Sequence, residues 1–149
     1  MTRKNAREIA VRLCFILSAT NENADVLLER VFDEEYYKSL KEEDELYSEY
    51  PDPKQIDYIS RLVRGIRLHS VELDEYIMKY SRGWQFARIS RTALAVMKTA
   101  MFEILYMPDV PNGVAINEAV EISKKYDEPE TVSFINGILG SFVKSETVS

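Results

Sequence analysis

The sequence predicts an all-α protein, because apolar residues recur at three- and four-residue intervals and no segment alternates with a period of two. Prolines and glycines fall between the periodic runs, where they break helices. Six or seven helices with short links imply a helical bundle of two packed subdomains, an N-terminal half at about 1–82 and a C-terminal half at about 83–145, joined near Gly83.

The first helix runs from Thr2 to about Ser18, with Ala6, Ile9, Ala10, Leu13, Cys14 and Leu17 on one stripe. A second is expected from about Ala24 to Leu40, and Pro51-Asp52-Pro53 ends the segment after it. The next pattern, Ile56, Ile59, Val63, Ile66, Val71, Leu73 and Ile77, fits one long helix or two joined near His69. Beyond Gly83-Trp84 a helix starts near Ser90, whose hydroxyl suits a cap for the run from Leu94 to Leu105. After a loop at Pro108–Gly113, two helices complete the chain, from about Val114 to Lys125 and from about Glu130 to Ser145, the latter opened by Pro129. Ile116, Ala119, Val120, Phe134, Ile138 and Leu139 are core by spacing.

The 149 residues fit one domain able to bury a core without staples, and a hydrophobic share of 46% places the chain outside the disordered regime. No apolar signal region follows Met1-Thr2-Arg3-Lys4-Asn5, so the expected compartment is the cytoplasm, with no membrane partner. Cys14 is expected to be a small buried hydrophobe and His69 a surface residue; one cysteine and one histidine exclude the usual zinc sets, so no metal is expected. The five scattered glycines form no phosphate-cradling loop, no nucleophile pairs with an oriented base, and neither a cofactor nor catalysis is expected.

The net charge of -6 is local in origin: residues 33–52 hold nine acids against Lys38 and Lys41. The rest is nearly balanced, so the total says little about partners. The acidic stretch, with few apolar anchors, reads as a solvated linker or helix face. Arg3, Lys4 and Arg7 crowd the start of the first helix, where cations oppose the positive dipole end. Such a cluster is either a solvated basic end or, with the helix amides, a phosphate grip.

Val114-Ala115-Ile116-Asn117-Glu118-Ala119-Val120-Glu121 and Phe134-Ile135-Asn136-Gly137-Ile138-Leu139 resemble the two most recognisable segments of the NusB family. Phe102-Glu103-Ile104-Leu105-Tyr106, the loop Pro108-Asp109-Val110-Pro111 and the basic start Arg3-Lys4-Asn5-Ala6-Arg7-Glu8 extend the resemblance in the same order. It implies two helical subdomains and a non-catalytic role in bacterial transcription antitermination. In that role such proteins bind boxA-type RNA of nascent ribosomal transcripts with NusE, a ribosomal protein of the small subunit, and join the antitermination complex on RNA polymerase. The family includes monomers and homodimers.

The resemblance favours RNA for Arg3, Lys4 and Arg7. Phe15 offers a ring for base stacking, although its spacing favours burial, and Lys125 beside Lys124 and Tyr126 extends a basic surface that Asp127, Glu128 and Glu130 oppose. Asn117 and Glu118 fit either a partner contact or a structural role at the helix start. Asn136-Gly137, costly in a helix, suggests a close helix approach or polar tie. Two departures bear on partners: Ala93-Leu94 replace an acidic-basic pair that the family commonly carries, and Gly140 stands where it has Asp. A helical protein-interaction module without RNA binding is the alternative.

Overall fold

In a computed structural model describing residues 1–147, the backbone is helical with no strand among those residues. Eight α-helices form, where six or seven were expected, and they belong to two compact units. One unit is Met1–Arg67 and the other begins at Leu68, whereas the sequence placed the join near Gly83.

In the first unit, α1 (Arg3–Ala19) starts at Thr2, whose hydroxyl accepts from the Asn5 amide at 3.1 Å. Its stripe of Ala6, Ile9, Ala10, Leu13, Cys14 and Leu17 is buried, as the periodicity requires. The helix expected at 24–40 is two, α2 (Ala24–Val31) and α3 (Glu34–Leu40), because Asp33 accepts from the Tyr36 amide at 3.1 Å and restarts the backbone ladder. Capping chemistry hidden inside a continuous apolar pattern accounts for the extra helix.

The acidic stretch is anchored rather than merely solvated. After α3 comes a 3-10 turn at Glu45–Tyr47, capped by Asp44, whose carboxylate accepts from the Leu46 amide at 2.9 Å. Tyr37 is buried, with its ring centroid 5.5 Å from that of Tyr47 and 5.1 Å from that of Tyr50. Its hydroxyl donates to the Glu49 carbonyl at 3.0 Å, and that of Tyr50 to the Phe32 carbonyl at 2.6 Å. Four aromatic rings, two of them with hydroxyls bonded to backbone carbonyls, therefore supply the anchoring that the apolar count missed.

Helix α4 (Pro53–Leu68) closes the first unit. Arg64 pairs with Asp25 of α2, and Arg67 donates to the Leu17 carbonyl at 3.3 Å, near the end of α1. At His69 the long pattern breaks, and α5 (Ser70–Tyr80) begins, so the two-helix alternative holds.

In the second unit α5 packs with α6 (Arg91–Tyr106) and α8 (Pro129–Glu146). Lys98 of α6 reaches Asp74 at 2.6 Å and Ser70 at 3.1 Å, while Tyr76 sets its ring 5.1 Å from Phe142. These ties explain why α5 belongs with the helices after Gly83. His69 is half-buried, not a plain surface residue: its ring stacks 4.4 Å from that of Tyr106, which donates to Glu72 at 2.8 Å. Gly83 has φ of 81°, the left-handed turn before Trp84 that glycine takes without a Cβ penalty.

Ser90 caps α6 as expected, accepting from the Ala93 amide at 3.0 Å. Helix α7 (Asn112–Tyr126) starts earlier than expected and takes in Gly113. Pro129 stands in the first turn of α8 as expected. Ala119, Ile138 and Leu139 are buried, while Ile116, Val120 and Phe134 are half-buried. The close approach expected at Asn136-Gly137 is absent, because both residues are exposed and a Cβ at Gly137 would meet nothing within 4 Å.

Candidate nucleic-acid interface

The first turn of α1 contains no acid, so the positive end of its dipole and the charges of Arg3 and Lys4 reinforce one another. Lys4 is exposed and Arg3 half-buried. The guanidinium of Arg3 lies 3.8 Å over the Tyr58 ring of α4, and that of Arg7 lies 5.7 Å from the same centroid. Stacking uses the flat face of a guanidinium and leaves its in-plane N–H groups for an anion, so Tyr58 pre-orders Arg3 at little cost to its donors.

Arg7 differs from its neighbours. It is only 4% exposed, so burial and the Tyr58 contact make it part of the packing of this unit. The phosphate grip is also narrower than expected, since the amides of Asn5 and Ala6 already go to the hydroxyl and carbonyl of Thr2.

Phe15 is 39% exposed, and Ile16 beside it is 36% exposed, which overturns the preference for burial. An exposed ring is available for stacking, but it lies eleven residues from Lys4, about 16 Å along the axis. Arg3, Lys4 and Arg7 are thus brought together, and Phe15 stands apart on the same helix.

Acids hold other parts of this unit. The Met1 ammonium lies 2.6 Å from Glu49, and Arg12 pairs with Asp44. Both acids come from the anchored acidic stretch, which therefore lies against α1.

In the second unit Lys124 and Lys125 occupy the last turn of α7, where the dipole favours them, and both are exposed. Lys124 pairs with Glu121 at 2.9 Å, and Tyr126 is 38% exposed. Just beyond, Asp127 accepts from the Ser90 hydroxyl at 3.2 Å, while its Oδ2 is buried without a hydrogen-bond partner. Burial pushes this carboxyl above the usual aspartate range, and the Ser90 bond opposes that shift. Asn117 is exposed, and Glu118 is half-buried with Oε2 buried and lacking a hydrogen-bond partner. Ala93 is fully buried and Leu94 half-buried.

Sequence reasoning missed Tyr58, because an aromatic at a helical core spacing reads as packing; only the two arginines above its ring reveal its second use. Cys14 is buried as expected. Among the described residues no helix is long and apolar enough to cross a membrane.

Comparison with known proteins places this architecture. The family model described as "NusB family" matches residues 4–144. A protein of Clostridium botulinum strain Kyoto called "Transcription antitermination protein NusB" is 34% identical over 143 residues, covering 96% of this chain and all of that protein. A Clostridium kluyveri protein of the same name is 36% identical over 154 residues, covering 99% of each. Among solved structures, NusB from T. maritima superposes with a TM-score of 0.79 at 28% identity, over 97% of this chain and 92% of that one. With the family model spanning nearly the whole chain and its helices superposing on a solved member, this protein belongs to the NusB family.

Proposed function

We propose that this protein is a transcription antitermination factor that binds boxA-type RNA of nascent ribosomal RNA transcripts together with NusE, and so supports the antitermination complex on RNA polymerase. It acts in the cytoplasm as a binding adaptor without catalysis, as a monomer or a homodimer. The observation that carries this reading is the start of α1: cations placed against the helix dipole, no acid in the first turn, and Arg3 ordered on Tyr58. Stability does not explain this placement, and phosphate binding does.

Within this reading Arg3 and Lys4 take phosphates, Arg7 supports Tyr58 behind them, and Phe15 and Lys125 are proposed as further RNA contacts, each on its own unit. Asn117 and Glu118 are proposed for the protein partner. Two exposed or half-exposed cations give a small electrostatic footprint, so NusE is expected to raise the RNA affinity.

A second reading, a helical interaction module without RNA binding, draws on the burial of Arg7 and the acids against α1. Titrating a boxA RNA oligonucleotide at fixed salt, with and without NusE, decides between them. Tighter binding with NusE supports the adaptor. No RNA binding in either mixture leaves the interaction module.

A further inference from the structure

The acids of this chain leave one long gap. From Tyr76 to Phe102 no acid occurs, the longest such run in the sequence, and Lys79, Arg82, Arg88, Arg91 and Lys98 fall within it. Two of these cations are accounted for by the fold: Lys79 pairs with Glu146 at 2.7 Å and Lys98 with Asp74 at 2.6 Å. Arg82, Arg88 and Arg91 are solvent-exposed and form no ion pair among the described residues. All three lie in or beside the link between α5 and α6, in the second unit.

The link is pinned to its unit. Ser81 and Ile89, near its two ends, are buried, and the Trp84 ring centroid lies 4.2 Å from that of Phe134 on α8. Two turns fold the segment: the Trp84 amide donates to the Ser81 carbonyl at 3.1 Å, and the Arg88 amide to the Gln85 carbonyl at 2.9 Å, around a 3-10 turn at Phe86–Arg88. Arg88 and Arg91 are three residues apart and so within about 10 Å of each other along the backbone. Arg91 opens α6, whose first turn has no acid, so its charge opposes the helix dipole as those of Arg3 and Lys4 do on α1. Trp84 and Phe86 are half-buried and Ile89 is buried, so the link presents cations and polar groups to solvent without the exposed apolar centre of a protein interface. Guanidinium forks without an internal ion pair, repeated over residues 82–91 with no acid between them, match the repeated anions of a nucleic-acid backbone.

We infer that the link between α5 and α6 is a further RNA contact, in which Arg82, Arg88 and Arg91 bind phosphates while Trp84 holds the segment on α8. This rests on the RNA reading above and adds three phosphate contacts on the second unit. Asp127 is tied to the same segment, accepting from the Ser90 hydroxyl beside Arg91 at 3.2 Å, and tempers the pull of that cation on an anion.

The test is a salt titration of binding to a single-stranded boxA RNA oligonucleotide, with excess NusE, for the full chain and three variants. R82A/R88A/R91A should flatten the slope of log affinity against log salt by about 2, or about 0.7 for each lost contact, and R82Q/R88Q/R91Q should do the same. R3A/K4A should flatten it by about 1.4. Helical circular dichroism and the emission of Trp84, the one tryptophan of the chain, should match the parent in both neutral variants and so show that the link is still anchored. Their affinity for NusE without RNA should also match the parent. A parent-like slope for both neutral variants, beside a flattened slope for R3A/K4A, overturns the inference and leaves the RNA reading standing. Weaker NusE binding with an unchanged RNA slope also overturns it, by assigning the link to the protein partner. Absence of any salt-dependent RNA binding by the parent removes the RNA reading and the inference with it.

Discussion

Two helix ends of this protein carry clustered cations, and their relation to the backbone is opposite. At the end of α7, Lys124 and Lys125 sit where the dipole is negative, Lys124 pairs with Glu121, and Asp127 follows. At the start of α1, Arg3 and Lys4 sit where the dipole is positive, with no acid in the turn and an aromatic ring supporting one of them. The first arrangement stabilises its helix by about 0.3–1 kcal/mol per cation, and the second costs a comparable amount. Basic residues that lower stability point to a ligand, while basic residues that raise it are explained by the fold.

The largest expected effect separates Arg7 from its neighbours. Arg7→Ala should destabilise the protein by about 2 kcal/mol, because a desolvated guanidinium near a ring loses both the cation–π contact and the packing of its stem. Urea unfolding should show a lower midpoint at unchanged slope. A loss within about 0.5 kcal/mol would place Arg7 among solvated cations after all.

The next effect contrasts the two ends directly. Lys124→Ala and Lys125→Ala should each lower stability by a few tenths of a kcal/mol, whereas Lys4→Ala should raise it by a similar amount, since Ala is also the better helix former. Thermal melts at low salt read these differences. The same sign at both ends would show that the dipole does not decide the comparison.

The smallest effect concerns pH. Asp127 holds its proton more tightly folded than unfolded, so its contribution to stability is full below the ordinary aspartate range and is lost as pH rises through its raised folded value. Stability of the parent relative to Asp127→Asn should therefore decline as pH rises over that acidic window, because Asn keeps an oxygen for Ser90 without the buried charge. A pH-independent difference would mean that the carboxylate is solvated.

Much of this comparison was legible in the sequence. The apolar stripe of α1, the Ser90 cap and the basic start at Arg3, Lys4 and Arg7 all follow from spacing and residue chemistry. The split at Asp33 was not, because an aspartate inside a periodic pattern reads equally as a surface residue or a cap until the Tyr36 amide is seen to bind it. Nor was the anchoring of the acidic stretch, which depends on Tyr37, Tyr47 and Tyr50 meeting across a turn, a relation without fixed spacing. The distinction between Arg7 and Lys4 was also hidden, since it arises from the Tyr58 ring of another helix.

The central claim is that the cations at the start of α1 exist for RNA and not for the helix. Its most direct test compares the salt dependence of boxA RNA affinity, in excess NusE, between the parent and R3A/K4A. Loss of two phosphate contacts should flatten the slope by about 1.4 and weaken binding to every RNA sequence alike. An unchanged slope with unchanged affinity would show that Arg3 and Lys4 are only a solvated helix start, and would contradict the account.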